Sequence, residues 1–253
     1  MSELVRPKVS VIVVADRSVG ARSDEGFIRV RRLTLKNRYE GDAESSEYAY
    51  DCVERNAMDA VGIVLYALDE RGLRVCLRSS IRPPLAMRPR YSLPIPDVVG
   101  DPTLFEIPAG LVEEGEEGEE GLKACAARET MEEVGLDVEA HRFSRLGPAT
   151  YLSPGLVAEK IHLFAAEVDP TSAVLPTMDG SPVEERATIR YLTIEDALAA
   201  CRDGRLEDIK TEVALRRLRE QFDLGLLGEL TARDTMHAHI EDSGPKTDPG
   251  TGQ

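Results

Sequence analysis

From Glu119 to Val134 the sequence reads as a helix, stopped by Gly135 where a left-handed residue closes the last turn. The end of that helix carries Glu129, Glu132 and Glu133, and this placement constrains the chain more than any other feature. Like charges one turn apart cost a helix about 0.2 to 0.5 kcal/mol, and anions in the last turn oppose the helix dipole by about 0.3 to 1 kcal/mol. A helix built only for stability would carry Lys there. At about 100° per residue, Ala124, Ala127, Met131 and Val134 form an apolar stripe, with Glu129 and Glu133 on the opposite side and Glu132 beside them, one turn from Arg128. These charges have an ordinary reading as the solvated face of an amphipathic helix. They are also what a hard divalent cation requires, because Mg²⁺ takes oxygen ligands at about 2.0 to 2.1 Å and keeps several waters for contact with substrate phosphates.

Around this helix the chain alternates strands and helices. The apolar run Val9–Ala15 is too short for a membrane span and is followed by Asp16-Arg17 rather than a small-residue cleavage site, so it reads as a buried strand. Period-two patterns follow at Phe27–Val30, Leu33–Leu35, Arg38–Asp42 and Tyr48–Val53. Asp59–Leu68 and Leu73–Arg78 form a hairpin about the turn Asp69-Glu70-Arg71-Gly72. Residues 82–102 hold six prolines and are expected to be loop. Leu104–Gly110 reads as a short strand ending in a turn, Ile161–Val168 and Ile189–Thr193 read as strands, and Ile194–Arg202 and Leu206–Phe222 as helices, the second with Leu215, Leu218 and Phe222 on one face. Residues 229–253 are polar and expected to be a disordered tail. With no Gly-x-Gly-x-x-Gly after a strand, a dinucleotide-binding Rossmann fold is excluded in favour of an α/β fold with a mixed sheet flanked by helices.

Composition narrows function. With 31 Lys+Arg against 46 Asp+Glu, the formal charge is −15, which excludes a sequence-independent nucleic-acid binder. No stretch reaches the roughly 20 apolar residues of a membrane span. Cys52, Cys76, Cys125 and Cys201 lie far apart without a Cys-x-x-Cys pair, which argues against zinc and disulfides and for a reducing cytoplasm.

The segment Arg128-Glu-Thr-Met-Glu-Glu-Val-Gly-Leu136 resembles the second half of the Nudix box, GX5EX7REUXEEXGU, with Thr130 at the usual aliphatic position. Gly110 and Glu116 match the first half. Eleven residues separate Glu116 from Arg128, where the pattern has seven; Glu120 keeps the seven-residue gap but lies too far from Gly110. Both registers stay open, and the Glu-Glu-Gly run at 113–121 looks like an expansion before the helix. The resemblance implies an α/β/α sandwich with a mixed sheet over residues 57–228, preceded by an N-terminal β-rich dimerisation segment over 1–56 and followed by the tail at 229–253. It implies Glu129, Glu132, Glu133 and the carbonyl of Ala109 as ligands of Mg²⁺, or of Mn²⁺. Gly110, Glu116, Arg128 and Gly135 are then the structural residues of the box.

Wider resemblance points to ADP-ribose pyrophosphatases and nucleoside diphosphate sugar hydrolases. The stretch Leu77-Arg-Ser-Ser-Ile-Arg-Pro-Pro84 is similar to their strand ending in an Arg-containing turn, which implies Arg82 as a phosphate contact; its planar fork suits phosphate oxygens. Ser153-Pro154-Gly155 resembles their substrate-side segment, and Glu184 and Glu185 match the acidic loop that supplies the general base, Glu185 being slightly favoured, while Glu132 assists the principal ligands Glu129 and Glu133 in the chemistry at the ion. The implied activity is hydrolysis of a nucleoside diphosphate derivative by a cytoplasmic homodimer, with no nucleic-acid or membrane partner. The alternatives are a sensor of the same fold that binds a nucleotide sugar without turning it over, and a hydrolase of other nucleotides.

Overall fold

The structure, a computed structural model, describes residues 4, 22, 24–40, 43–95, 101–177, 180–184 and 186–227. The expected strand at Val9–Ala15 and the tail at 229–253 lie outside the described residues, as does Glu185.

The chain begins with a two-stranded antiparallel ribbon, β1 (Arg29–Leu35) and β2 (Tyr48–Glu54). The body starts with the hairpin β3 (Ala60–Asp69) and β4 (Gly72–Ile81), turned by Glu70 and Arg71 with Gly72 at φ 95°. Next come α1 (Pro83–Met87), β5 (Thr103–Glu106), β6 (Ala109–Leu111), α2 (Gly118–Val134), β7 (Ser144–Arg145) and β8 (Thr150–Tyr151). The strands β9 (Lys160–Glu167) and β10 (Ile189–Thr193) and the helices α3 (Ile194–Asp203) and α4 (Ile209–Asp223) complete the described fold.

An eight-stranded sheet runs β10-β4-β3-β9-β7, with β5 beside β4, β6 beside β3 and β8 beside β9. Only β3 and β9 pair in parallel, so the sheet is mixed. Strand alternation divides the apolar side chains between two layers. Val61, Ile63 and Leu65 of β3 join Leu122, Cys125 and Ala126 of α2 on one face. Ala60, Val64 and Tyr66 join Ala197, Ala214, Leu215 and Leu218 of α3 and α4 on the other. The result is the α/β/α sandwich with mixed sheet. No described helix is long and apolar enough to cross a membrane, and all four cysteines are unpaired.

Four expectations need correction. The span 82–102 is not all loop: Pro83 and Pro84 open α1, and Arg88–Arg90 form a 3-10 turn. Proline at a helix start gives up an N–H that has no intrahelical partner anyway, and its fixed φ suits the first turn. Leu104–Gly110 is two strands, because Pro108 interrupts it. Pro108 offers only a carbonyl, which accepts from the N–H of Ile63 at 2.9 Å, while the Ile107 N–H leaves the sheet for the Thr211 hydroxyl at 2.9 Å. The buried face of α2 is not the predicted stripe. Ala124 is exposed, whereas Leu122, Cys125, Ala126, Glu129, Thr130, Glu133 and Val134 are buried, so two of the glutamates face the body of the protein. Likewise Phe222 is 37% exposed although Leu215 and Leu218 are fully buried.

Candidate active site

The loop from β6 into α2 is organised by one guanidinium. Arg128 donates through Nε to Glu116 Oε1 at 2.9 Å and through Nη2 to Glu116 Oε2 at 3.1 Å. The same group reaches the Leu111 carbonyl at 3.1 Å, Glu129 at 2.7 Å and Glu132 at 3.2 Å. Glu116 also accepts the Glu113 N–H at 2.9 Å, closing the loop on itself. Glu120, the other register, has 82% of its side chain exposed and pairs with Lys123 at 3.5 Å. The fork therefore joins Arg128 to Glu116, and the four extra residues fall between them, where α2 begins at Gly118. Four residues are close to one helical turn of 3.6, so an insertion of this length leaves the helix face beyond it nearly unrotated. Gly121 makes the junction feasible: a Cβ there would lie 2.2 Å from the Glu116 backbone carbon.

Two buried carboxylates lie one turn apart beyond this loop. Glu133 accepts from Arg78 Nη1 at 2.6 Å through Oε1 and from the Ala109 N–H at 3.0 Å through Oε2. Glu129 rests against Gly110, where a Cβ would come within 1.8 Å of its carboxyl carbon; only glycine leaves it room. At Thr130 the departure from the aliphatic pattern is accommodated, since its buried hydroxyl donates to the Ala126 carbonyl at 2.7 Å. Gly135 closes α2 at φ 73°, packed against the Val174 carbonyl where any side chain would clash.

Electrostatically the carboxylates of this cluster outnumber its cations, Arg78 and Arg128. Burial pushes the Glu133 carboxyl up to about 8, with Glu129 and Glu184 adding repulsion, and these outweigh Arg78 and the Ala109 N–H. Burial pushes Glu129 up to about 7, against Arg128 and with Glu132 and Glu184 adding to the rise. Glu184 thus belongs to the same cluster although it arrives from the loop before β10; its Oε1 lies 3.7 Å from Arg78 Nη2. Among the described residues no three acidic, histidine or cysteine side chains already converge as a metal cage. The donor set nevertheless fits a hard divalent cation: carboxylate oxygens held against each other in a buried site, on a helix that lacks a basic residue in its last turn.

A cleft of about 510 Å³ opens beside the cluster, with Ala109 and Gly110 on its wall and Phe27, Arg55, Arg82 and Lys210 among its lining. Arg82 donates to Glu106 at 2.5 Å and is 48% exposed. Arg55, from the end of the ribbon, pairs with Glu159 at 2.6 Å. Ser153, Pro154 and Gly155 form an exposed turn, and Gly155 accepts the Tyr50 hydroxyl at 2.8 Å. The ribbon is thereby tied to this turn, and Leu152 rather than the three turn residues lines the cleft.

Sequence reasoning passed over Arg78, Glu106 and Lys210. Arg78 and Glu106 lie in predicted strands, where alternation alone marks them as outward-facing polar residues; they are 3% exposed in each case. The only local signal was the rarity of such charges within apolar runs.

Comparison with known proteins places the fold. A family profile described as NUDIX domain matches residues 57–212, and the chain belongs to this family. It is 32% identical over 151 residues to an ADP-ribose pyrophosphatase of Haemophilus influenzae, covering 59% of this chain and 60% of that protein. It is 35% identical over 119 residues to a GDP-mannose pyrophosphatase of Yersinia pestis, covering 47% and 55%. A GDP-mannose pyrophosphatase of Yersinia enterocolitica is 36% identical over 116 residues, covering 46% and 56%. The chain thus spans between 55% and 60% of the length of these relatives.

Proposed function

We propose that the chain is a divalent-cation-dependent hydrolase of ADP-ribose or a related nucleoside diphosphate sugar, releasing a nucleoside monophosphate and a sugar phosphate. The observation that carries this reading is the gathering of Glu129, Glu133 and Glu184, with Arg78 against the last two and Arg128 against the first, beside a cleft that Arg82 and Arg55 line. Relatives named for ADP-ribose and GDP-mannose cleavage support the substrate class.

Each residue then has a task. Glu129, Glu132, Glu133 and the Ala109 carbonyl would hold Mg²⁺ or Mn²⁺, and Arg128 and Glu116 fix the loop that presents them. When bound, the ion neutralises diphosphate charge and lowers the pKa of water. Arg82 binds a phosphate oxygen through its guanidinium fork. Glu184, or Glu185, accepts the proton of the attacking water as its oxygen bonds to phosphorus and the bridging P–O bond breaks. The sugar phosphate or the nucleoside monophosphate departs with the bridging oxygen, according to which phosphorus is attacked.

The exposed Phe27, Ile28, Tyr39, Tyr48 and Tyr50 on and beside the ribbon suit cover by a second copy of this chain, since a two-stranded sheet alone is marginally stable. A single 27.8 kDa species in sedimentation would remove the homodimer. Unpaired cysteines agree with a cytoplasmic protein.

The decisive assay incubates purified protein with ADP-ribose and with GDP-mannose, with and without Mg²⁺, and measures AMP and GMP. Monophosphate released only with the cation is expected. Binding without product would make the chain a sensor, and preference for nucleoside triphosphates or dinucleoside polyphosphates would overturn the substrate class.

A further inference from the structure

Glu106 and Lys210 are 104 positions apart in sequence and are brought together beneath the cleft, with side chains 4% and 8% exposed. Glu106 Oε1 accepts from Arg82 Nη2 at 2.5 Å, and Oε2 accepts from Lys210 Nζ. Lys210 also reaches Asp208 Oδ2 at 3.0 Å, but that oxygen already caps α4, accepting the Thr211 N–H at 2.9 Å and its hydroxyl at 2.6 Å. Burial would raise the Glu106 carboxyl, yet the Lys210 and Arg82 cations hold it below the ordinary carboxylate range.

Buried ion pairs are weak contributors to stability, because apolar side chains of similar volume serve as well or better. The network has a clearer consequence at the cleft. Arg82 and Lys210 together balance Glu106 and Asp208, the latter paired with Lys210 as well as capping α4. Without Lys210, the Arg82–Glu106 pair would be neutral. Both carboxylate oxygens would then attract the guanidinium in a bidentate fork, drawing it off the cleft. With Oε2 held by Lys210, Arg82 is anchored through Oε1 alone and keeps the rest of its fork for a ligand.

We infer that Lys210, acting through Glu106, is a positioning residue for Arg82 that sets affinity for the substrate diphosphate, an inference that rests on the cleft being the diphosphate site. The test is a double-mutant cycle on the full chain with ADP-ribose and Mg²⁺: Lys210→Met, Arg82→Ala and both together, each followed by KM, kcat and thermal midpoint. Lys210→Met is expected to raise KM about tenfold with kcat changed by less than about threefold, and to add nothing to KM once Arg82 is absent. Lys210→Arg, which keeps the charge, restores most of the loss. A purely structural lysine would lower the thermal midpoint and raise KM by the same factor in both backgrounds, and that result overturns the inference. So does a wild-type KM in Lys210→Met. Should Lys210→Met not fold, Lys210→Gln, which removes the charge but keeps a polar end, replaces it in the cycle with the same expectation. If the wild-type protein cleaves neither ADP-ribose nor GDP-mannose, the functional reading fails on its own; the cycle is then read as calorimetric affinity for inorganic pyrophosphate, where coupling upholds the positioning role and additivity refutes it.

Discussion

Glu133→Gln is expected to lower kcat by about 10²- to 10³-fold, the usual scale for removing one preorganised charge from an active site, while the protein stays folded. The second half of that expectation comes from the environment of the side chain. In the metal-free protein burial pushes this carboxyl up to about 8 against the pull of Arg78, so the site disfavours the charged form and tolerates a neutral one. A neutral amide of the same shape reproduces a charge state that the fold accommodates. It also keeps one oxygen to accept from either the Ala109 N–H or Arg78, leaving one donor to be satisfied elsewhere at about 1 to 3 kcal/mol. Steady-state kinetics and circular dichroism on the same preparation separate the two effects. Unchanged turnover would remove Glu133 from the chemistry, and an unfolded variant would show that its role is structural.

The second large effect is a pH-dependent stability that the cation reverses. Glu129 and Glu133 have folded-state values near 7 and 8, above the ordinary glutamate value of 4.5. Between those limits the native protein binds more protons than the unfolded chain. Stability of metal-free protein therefore falls as pH rises from about 4.5 toward 8. A cation binds the deprotonated carboxylates and stabilises the native state by mass action, so its effect grows over the same interval. Denaturant titrations with EDTA and with Mg²⁺ at pH 6 and pH 8.5 should diverge at the higher pH by several kcal/mol, as about 1,000 Kd of ligand gives roughly 4 kcal/mol. Curves that coincide at both pH values would mean that this cluster binds no cation.

How far the sequence discloses this site depends on how local each interaction is. Helix α2 and its glycine stop follow from neighbouring residues, and so does the hairpin of β3 and β4, because periodicity and turn chemistry act over a few positions. The face that α2 buries does not. Periodicity assigns charges to solvent and so favours Ala124 and turns Glu129 and Glu133 outward; what permits the burial of Glu133 is Arg78 on β4 and the Ala109 N–H on β6, supplied across the sheet, while Glu129 is held by Arg128 of its own helix in the space that Gly110 leaves. Glu116 and Glu120 were equal claimants for Arg128 on spacing alone, and the fork to Glu116 appears only once the loop is closed. The prolines of 82–102 signalled a break in the sheet but not that two of them start a helix. The link from Arg82 through Glu106 to Lys210 spans three elements and has no local signature. The resemblance to the Nudix box, by contrast, rests on short-range spacing that the extra residues leave intact from Arg128 to Leu136.

The account depends on the acidic end of α2 meeting a cation at the edge of the cleft. Anomalous diffraction from crystals of the protein soaked with Mn²⁺ and ADP-ribose tests this most directly. The expected result is a peak about 2.1 to 2.2 Å from oxygens of Glu129 and Glu133, with diphosphate oxygens on its far side and Arg82 against one of them. A peak elsewhere, or none, with Glu133 still bonded to Arg78 and Glu129 to Arg128, would contradict it.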